Sequence, residues 1–156
     1  MNASNIHHAT IVFERSFATS PAEVFAAWTS RDALLDWSAP EEGWDMTYRA
    51  FDFRVGHTDI CAFGLSGEEP YINTVQYHAI RPDQYFVYAS TISHRDVLLF
   101  AGTVSVVFSV ADGGTTLTLT EAGVYFDGDS PEGHQEGWDA MLNGLTAYLD
   151  GNRRAA

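Results

Sequence analysis

The chain contains no lysine: all eight of its basic residues are arginine, against 21 Asp and Glu, for a formal net charge of -13. The missing amine excludes Schiff-base catalysis and a phosphate loop of the Walker type. The shortage of positive charge argues against nucleic acid as a partner, because phosphate binding needs a basic footprint. It argues equally against an anionic membrane surface. One cysteine, Cys61, leaves no internal disulfide and no multi-cysteine metal site. No stretch approaches the length of a membrane span. Residues 1–10 lack the basic and apolar regions of a secretory signal. A soluble, cytoplasmic protein without metal or cofactor is therefore expected.

What is present is apolar and aromatic. Hydrophobic residues make up 46% of the chain, and its four Trp, seven Tyr and ten Phe can fill a core or line an apolar pocket. A length of 156 residues argues for one domain, with an ordered core expected over residues 9–151.

The stretch from Asp129 to Asn152 reads as one long helix. Ser130 can cap it, Pro131 suits its first position and Gly151 can end it. Trp138, Met141, Leu142, Leu145, Tyr148 and Leu149 form one apolar face at helical spacing. Near the start, Ser20-Pro21-Ala22-Glu23 is a capping box for a helix carrying Val24, Phe25 and Trp28. Ser30 opens a second short helix with Leu34, Leu35 and Trp37. The rest alternates as strands do: Ala9–Ala18, Met46–Phe53, His57–Gly64, Tyr71–Ile80, Gln84–Ser93, Val97–Val110 and Thr115–Tyr125. Turn-like residues separate them, among them Arg81-Pro82-Asp83, His94-Arg95-Asp96 and Asp112-Gly113-Gly114. Residues 1–8 are polar and expected to be loose. The fold class is α+β: a curved antiparallel sheet of about seven strands, two short helices after the first, and a long C-terminal helix packed on the sheet.

Several strings in this order resemble the START-like (SRPBCC, helix-grip) superfamily, and within it the homologues of the heat-shock-protein ATPase activator. Phe25-Ala26-Ala27-Trp28-Thr29-Ser30 through Leu35-Asp36-Trp37 and Pro40 is similar to that branch's first helix pair. Asp52-Phe53-Arg54-Val55-Gly56 resembles its turn before the third strand, and Thr116-Leu117-Thr118-Leu119-Thr120 its last strand. Gly137-Trp138-Asp139-Ala140-Met141-Leu142, then Leu145 and Tyr148-Leu149, is similar to its closing helix. The chain departs from the pattern at His57, where a second glycine is common, and at Asp59, where an apolar or aromatic residue is usual. The resemblance implies a hollow between sheet and helix. It carries no catalytic motif, because members range over lipid carriers, hormone receptors, aromatase/cyclases and co-chaperone domains.

His57, Asp59 and Cys61 alternate and are expected to share one strand face. As metal ligands they are poorly spaced, since His57 and Cys61 would stand roughly 13 Å apart along a strand. The family alignment turns this face inward. Glu121 shares a face with Leu117 and Leu119 and is expected inside as well. Two carboxylates in an apolar shell suit acid/base work or anchoring of a polar ligand end. The competing reading places each near a strand end, solvated or paired with Arg15, Arg49 or Arg54. Trp37, Trp44, Tyr71, Tyr77, Tyr88 and Phe100 are candidates for the wall of a hollow, with Trp138 and Met141 above it; plain core packing competes for each. His134 is expected near the surface beside an opening. Gly137 and Gly144, seven apart, are expected on one helix face, either for close packing or to leave room.

Two functions follow. The first is binding of a small hydrophobic or aromatic ligand between sheet and closing helix. The second is a cyclase- or dehydratase-type enzyme using Asp59 or Glu121 as acid/base. A co-chaperone-like interaction domain is a third reading, and exposed edge strands could support a homodimer.

Overall fold

The computed structural model of the protein describes residues 5–155, with side chains as far as residue 151. Its strands are β1 (His7–Phe17), β2 (Trp44–Ala50), β3 (Thr58–Leu65), β4 (Tyr71–Arg81), β5 (Tyr85–His94), β6 (Val97–Ala111) and β7 (Gly114–Tyr125). Helices α1 (Pro21–Thr29) and α2 (Arg31–Trp37) follow β1, and α3 (Pro131–Ala155) ends the chain. All seven strands form one antiparallel sheet in the order β1-β7-β6-β5-β4-β3-β2. The α+β architecture expected from the sequence is the architecture found.

Tight turns set the hairpin register. Arg95 and Asp96, with φ of 52° and 63°, join β5 to β6, and Asp112 and Gly113, with φ of 48° and 78°, join β6 to β7. Two consecutive positive φ values give the turn whose twist matches that of the flanking strands. Register shifts at Tyr48/Ala50, Tyr77/Ala79 and Ile92/Ser93 add local twist and bend the sheet.

Helix ends follow the sequence signals. Ser20 Oγ accepts from the Glu23 amide at 3.3 Å, and Ser30 Oγ accepts from the Ala33 amide at 3.2 Å. Ser30 ends α1 and caps α2, which makes an abrupt elbow. The elbow drives Val24, Phe25, Trp28, Leu34 and Trp37 into the core. Trp28 and Trp37 meet edge to face at 4.7 Å, and Trp28 lies 5.3 Å from Phe86 on β5. Full burial of each large side chain is worth roughly 1.5–3 kcal/mol. In α3, Leu142, Leu145 and Leu149 complete the core.

Three expectations are corrected. The strand beginning at His7 takes up residues 7 and 8, because β7 extends to Tyr125 and supplies partners for both; residues 1–4 lie outside the described part. The strand expected over Met46–Phe53 ends at Ala50, and Phe53 adopts a φ of 46° incompatible with a strand. Helix α3 begins at Pro131 as expected, with Ser130 Oγ accepting from the Gly133 amide at 3.0 Å, but its expected end at Gly151 is not found. It runs through Gly151, which keeps a negative φ and does not terminate it.

Gly137 and Gly144 of α3 have different roles. A Cβ on Gly144 would sit 2.1 Å from the Trp37 carbonyl oxygen, so this glycine permits contact between α3 and α2. A Cβ on Gly137 would meet nothing within 4 Å. Gly144→Ala should therefore destabilise the fold by about 1–3 kcal/mol. Gly137→Ala should stabilise it by about 0.5–1 kcal/mol through helix propensity. Chemical denaturation of both variants checks the pair, and equal effects would contradict the packing described.

Candidate functional site

Residues directly opposite across a ladder point to the same face. Register therefore assembles the inner face row by row. One row is Cys61, Asn73, Ile92, Phe100 and Tyr125. The next is Asp59, Val75, Ser90, Gly102 and Gly123. A third is Tyr77, Tyr88, Val104 and Glu121, with Ile11 beyond. Asp59, expected inside from the family resemblance, and Glu121, expected inside from its alternation with Leu117 and Leu119, are 2% and 3% exposed.

Glu121 is held by groups from three directions. Its Oε1 accepts from the Tyr125 hydroxyl at 2.8 Å and lies 2.7 Å from His134 Nδ1. Its Oε2 accepts from Trp138 Nε1 at 2.9 Å. The other nitrogen of His134, Nε2, lies 2.6 Å from Asp129 Oδ2 in the loop before α3. His134 thus bridges two carboxylates and carries a proton on each nitrogen. Burial alone would lower its pKa, but the bonds it donates to Asp129 and Glu121 outweigh that and push it up to about 9. Phe100 supports the imidazole at a ring distance of 4.6 Å. Room for that ring comes from Gly102 and Gly123 on neighbouring strands, where a Cβ would lie 2.7 Å and 2.6 Å from Phe100 ring atoms. The expectation that His134 lies at the surface is corrected: its side chain is 9% exposed, because α3 enters over β7 and carries it inward.

Asp59 forms the second polar centre. Its Oδ1 accepts from the Asp52 amide at 2.7 Å and its Oδ2 from the Phe53 amide at 3.2 Å. The left-handed backbone at Phe53 turns these successive N–H groups toward one carboxylate. Burial raises the Asp59 pKa, against the two amides and a hydrogen bond from Tyr77 that lower it. No arginine pairs with either buried carboxylate among the described residues. Arg54 meets Asp52 at 2.9 Å, and Arg15 meets Asp139 at 2.6 Å, tying β1 to α3. Cys61 is a buried thiol, pushed up to about 11 by burial. Burial likewise raises Tyr48, Tyr77 and Tyr88 above the usual tyrosine value.

His57 does not share the face of Asp59 and Cys61. It precedes β3 in a turn, half exposed, with Nδ1 3.1 Å from Asp52 Oδ2. Trp37 lies in the helical core and donates to the Ala27 carbonyl at 2.9 Å. Trp44 begins β2, and Tyr71 stacks between Phe63 and His94 near one end of the sheet. Trp138 and Met141 are half-buried on α3. Cavities of about 430 and 340 Å³ lie beside α1 and α2, and neither borders Asp59 or Glu121. Among the described residues, no group of three His, Cys, Asp or Glu is placed to hold a metal ion, and no helix is long and apolar enough to cross a membrane.

Tyr125, Asp129 and His134 were not singled out as site residues by sequence reasoning. Tyr125 lies four residues beyond Glu121 on β7 and could have been found by the same alternation. His134 depends on the entry angle of α3, for which the sequence holds no local signal.

The pattern described as "Activator of Hsp90 ATPase homolog 1-like protein" matches residues 18–150, which is most of the chain. The chain belongs to this family. A Rhizobium loti protein of known structure is 31% identical, with a TM-score of 0.82 over 92% of this chain and 99% of that one. A putative uncharacterized protein from Rhizobium leguminosarum is 27% identical, with a TM-score of 0.83 over 96% and 99%. An AHSA1-like protein from Aeromonas hydrophila, 20% identical, shares the fold at a TM-score of 0.71 over 92% and 94%. Comparison with curated proteins gives no match. Family membership fixes the START-type fold and leaves chemistry to the site.

Protonated His134 stabilises the fold fully below its free pKa of 6.5, and this contribution is lost as pH rises through about 9. Unfolding free energy should fall across that window by about 2 kcal/mol after allowance for solvent screening. NMR titration of the imidazole checks the assignment. Glu121→Gln should lower the His134 pKa and cost about 3–5 kcal/mol of stability, as removal of one partner from a buried ion pair does.

Proposed function

We propose that this protein binds a small molecule with an apolar or aromatic body and one polar end, held on the inner face of the sheet beneath the first half of α3. The observation that carries this reading is Tyr88. It is 8% exposed in the middle of the inner face, yet its hydroxyl makes no hydrogen bond among the described residues. It is not among the fully enclosed polar atoms lacking a partner, Thr19 Oγ1 and Trp28 Nε1, so the oxygen keeps a small contact with solvent. An uncommitted hydroxyl among aromatic walls favours a ligand that brings a matching donor or acceptor. Val75, Ile92, Trp138 and Met141 supply half-buried apolar surface around it. Asp59, Cys61, Tyr77, Phe100 and Glu121 shape the same face.

A cyclase- or dehydratase-type enzyme is less well supported. Such chemistry needs a carboxylate within reach of a substrate proton. Both oxygens of Glu121 and both of Asp59 are already engaged by fixed donors. These bonds make the pair scaffolding for the face and leave Tyr88 as its free polar contact.

A thermal-shift screen of fatty acids, polyketides and flavonoids is expected to raise the melting temperature with at least one class. A ligand at a hundredfold its Kd stabilises by about 2.7 kcal/mol. For a flavonoid probe such as naringenin followed by tryptophan fluorescence, Tyr88→Phe should weaken binding about tenfold, the worth of one buried hydrogen bond. No shift with any class, or unchanged binding by Tyr88→Phe, would refute the proposal.

A further inference from the structure

A separate groove opens on the outer side of the helical layer, where α1, α2 and the last turns of α3 meet. Its volume is about 430 Å³. Ala26, Ala27, Ala33, Tyr148 and Leu149 make a shallow apolar floor. Glu23, Asp32 and Asp36 stand on its rim.

The fold accounts for two of these acids. Glu23 and Asp32 lie in the first turns of α1 and α2, where the helix dipole favours a carboxylate. It does not account for Asp36. That residue is the last but one of α2, at the end where the dipole opposes negative charge, and it stands four residues from Asp32 on the same helix face. The Arg31–Asp32 pair at 3.8 Å is exposed, and among the described residues no cation pairs with Asp36 or Glu23. Asp36 is thus a cost to the isolated helix that an external cation would remove.

We propose that this groove docks an amphipathic segment of a partner protein that carries lysine or arginine beside apolar side chains. The alanines leave room for an apolar side chain against Tyr148 and Leu149, and the three carboxylates face the cations flanking it. A second copy of this chain does not fit, since it brings a net charge of -13 and no lysine. A small polycation such as a polyamine would leave the apolar floor uncovered.

The test uses the full chain and a short fluorescein-labelled, helix-forming leucine–lysine peptide, read by anisotropy at low salt. Wild type should bind this peptide more tightly than oligolysine. Asp32→Asn with Asp36→Asn should weaken binding about tenfold, as expected for the loss of two exposed charge contacts. Ala26→Trp, at an exposed position, should abolish binding by filling the groove without changing charge. Glu41→Gln with Glu42→Gln, which changes net charge equally outside the groove, should alter affinity by less than about twofold. Circular dichroism of each variant confirms that it folds. Equal binding of oligolysine, equal weakening by the control pair, or retained binding by Ala26→Trp would each overturn the proposal.

Discussion

The buried negative charge of Glu121 is the constraint around which this molecule is organised. A carboxylate in an apolar shell is tolerated only when its lone pairs are met by fixed donors. Here the donors come from its own strand, through Tyr125, and from the first turns of α3, through His134 and Trp138. Asp129 completes the arrangement by engaging the second nitrogen of His134. The loop, the helix start and the last strand are thus fastened to one another by charge. Further along α3, leucines and the glycine contact at Trp37 continue the attachment by packing.

Asp59 offers an instructive contrast. Two of its donors are backbone amides, so its cradle depends largely on the course of the chain after β2, with the Tyr77 side chain adding a further hydrogen bond. Phe53, whose unusual backbone angle helps form the cradle, also packs its ring against Tyr77 and Phe86. One residue therefore links a strained turn to the aromatic core, and burial of that ring offsets the strain.

Much of the fold was legible because it is local. Alternation, paired turn residues and serine caps specify hairpins and helix starts within a few positions, and the apolar face of α3 was plain from spacing. The inward direction of Glu121 followed from Leu117 and Leu119. Its partners did not, because the approach of His134 depends on how residues 126–130 lead α3 over the sheet. His57 was assigned to the wrong environment for a related reason: the turn after Phe53 delays β3 by one residue, enough to separate His57 from Asp59. The uncommitted hydroxyl of Tyr88 is a property of its three-dimensional neighbours and has no signature in the chain.

The ring of Phe100 lies in a dent formed by Gly102 and Gly123, with the imidazole of His134 resting on its other side. Such a stack makes two bare backbone positions responsible for aiming a distant helix. A methyl group at either glycine would lift the ring, tilt the imidazole and loosen its grip on both acids, although neither glycine touches them. Substitutions at these two glycines and at the aromatic ring between them are therefore energetically coupled and not additive.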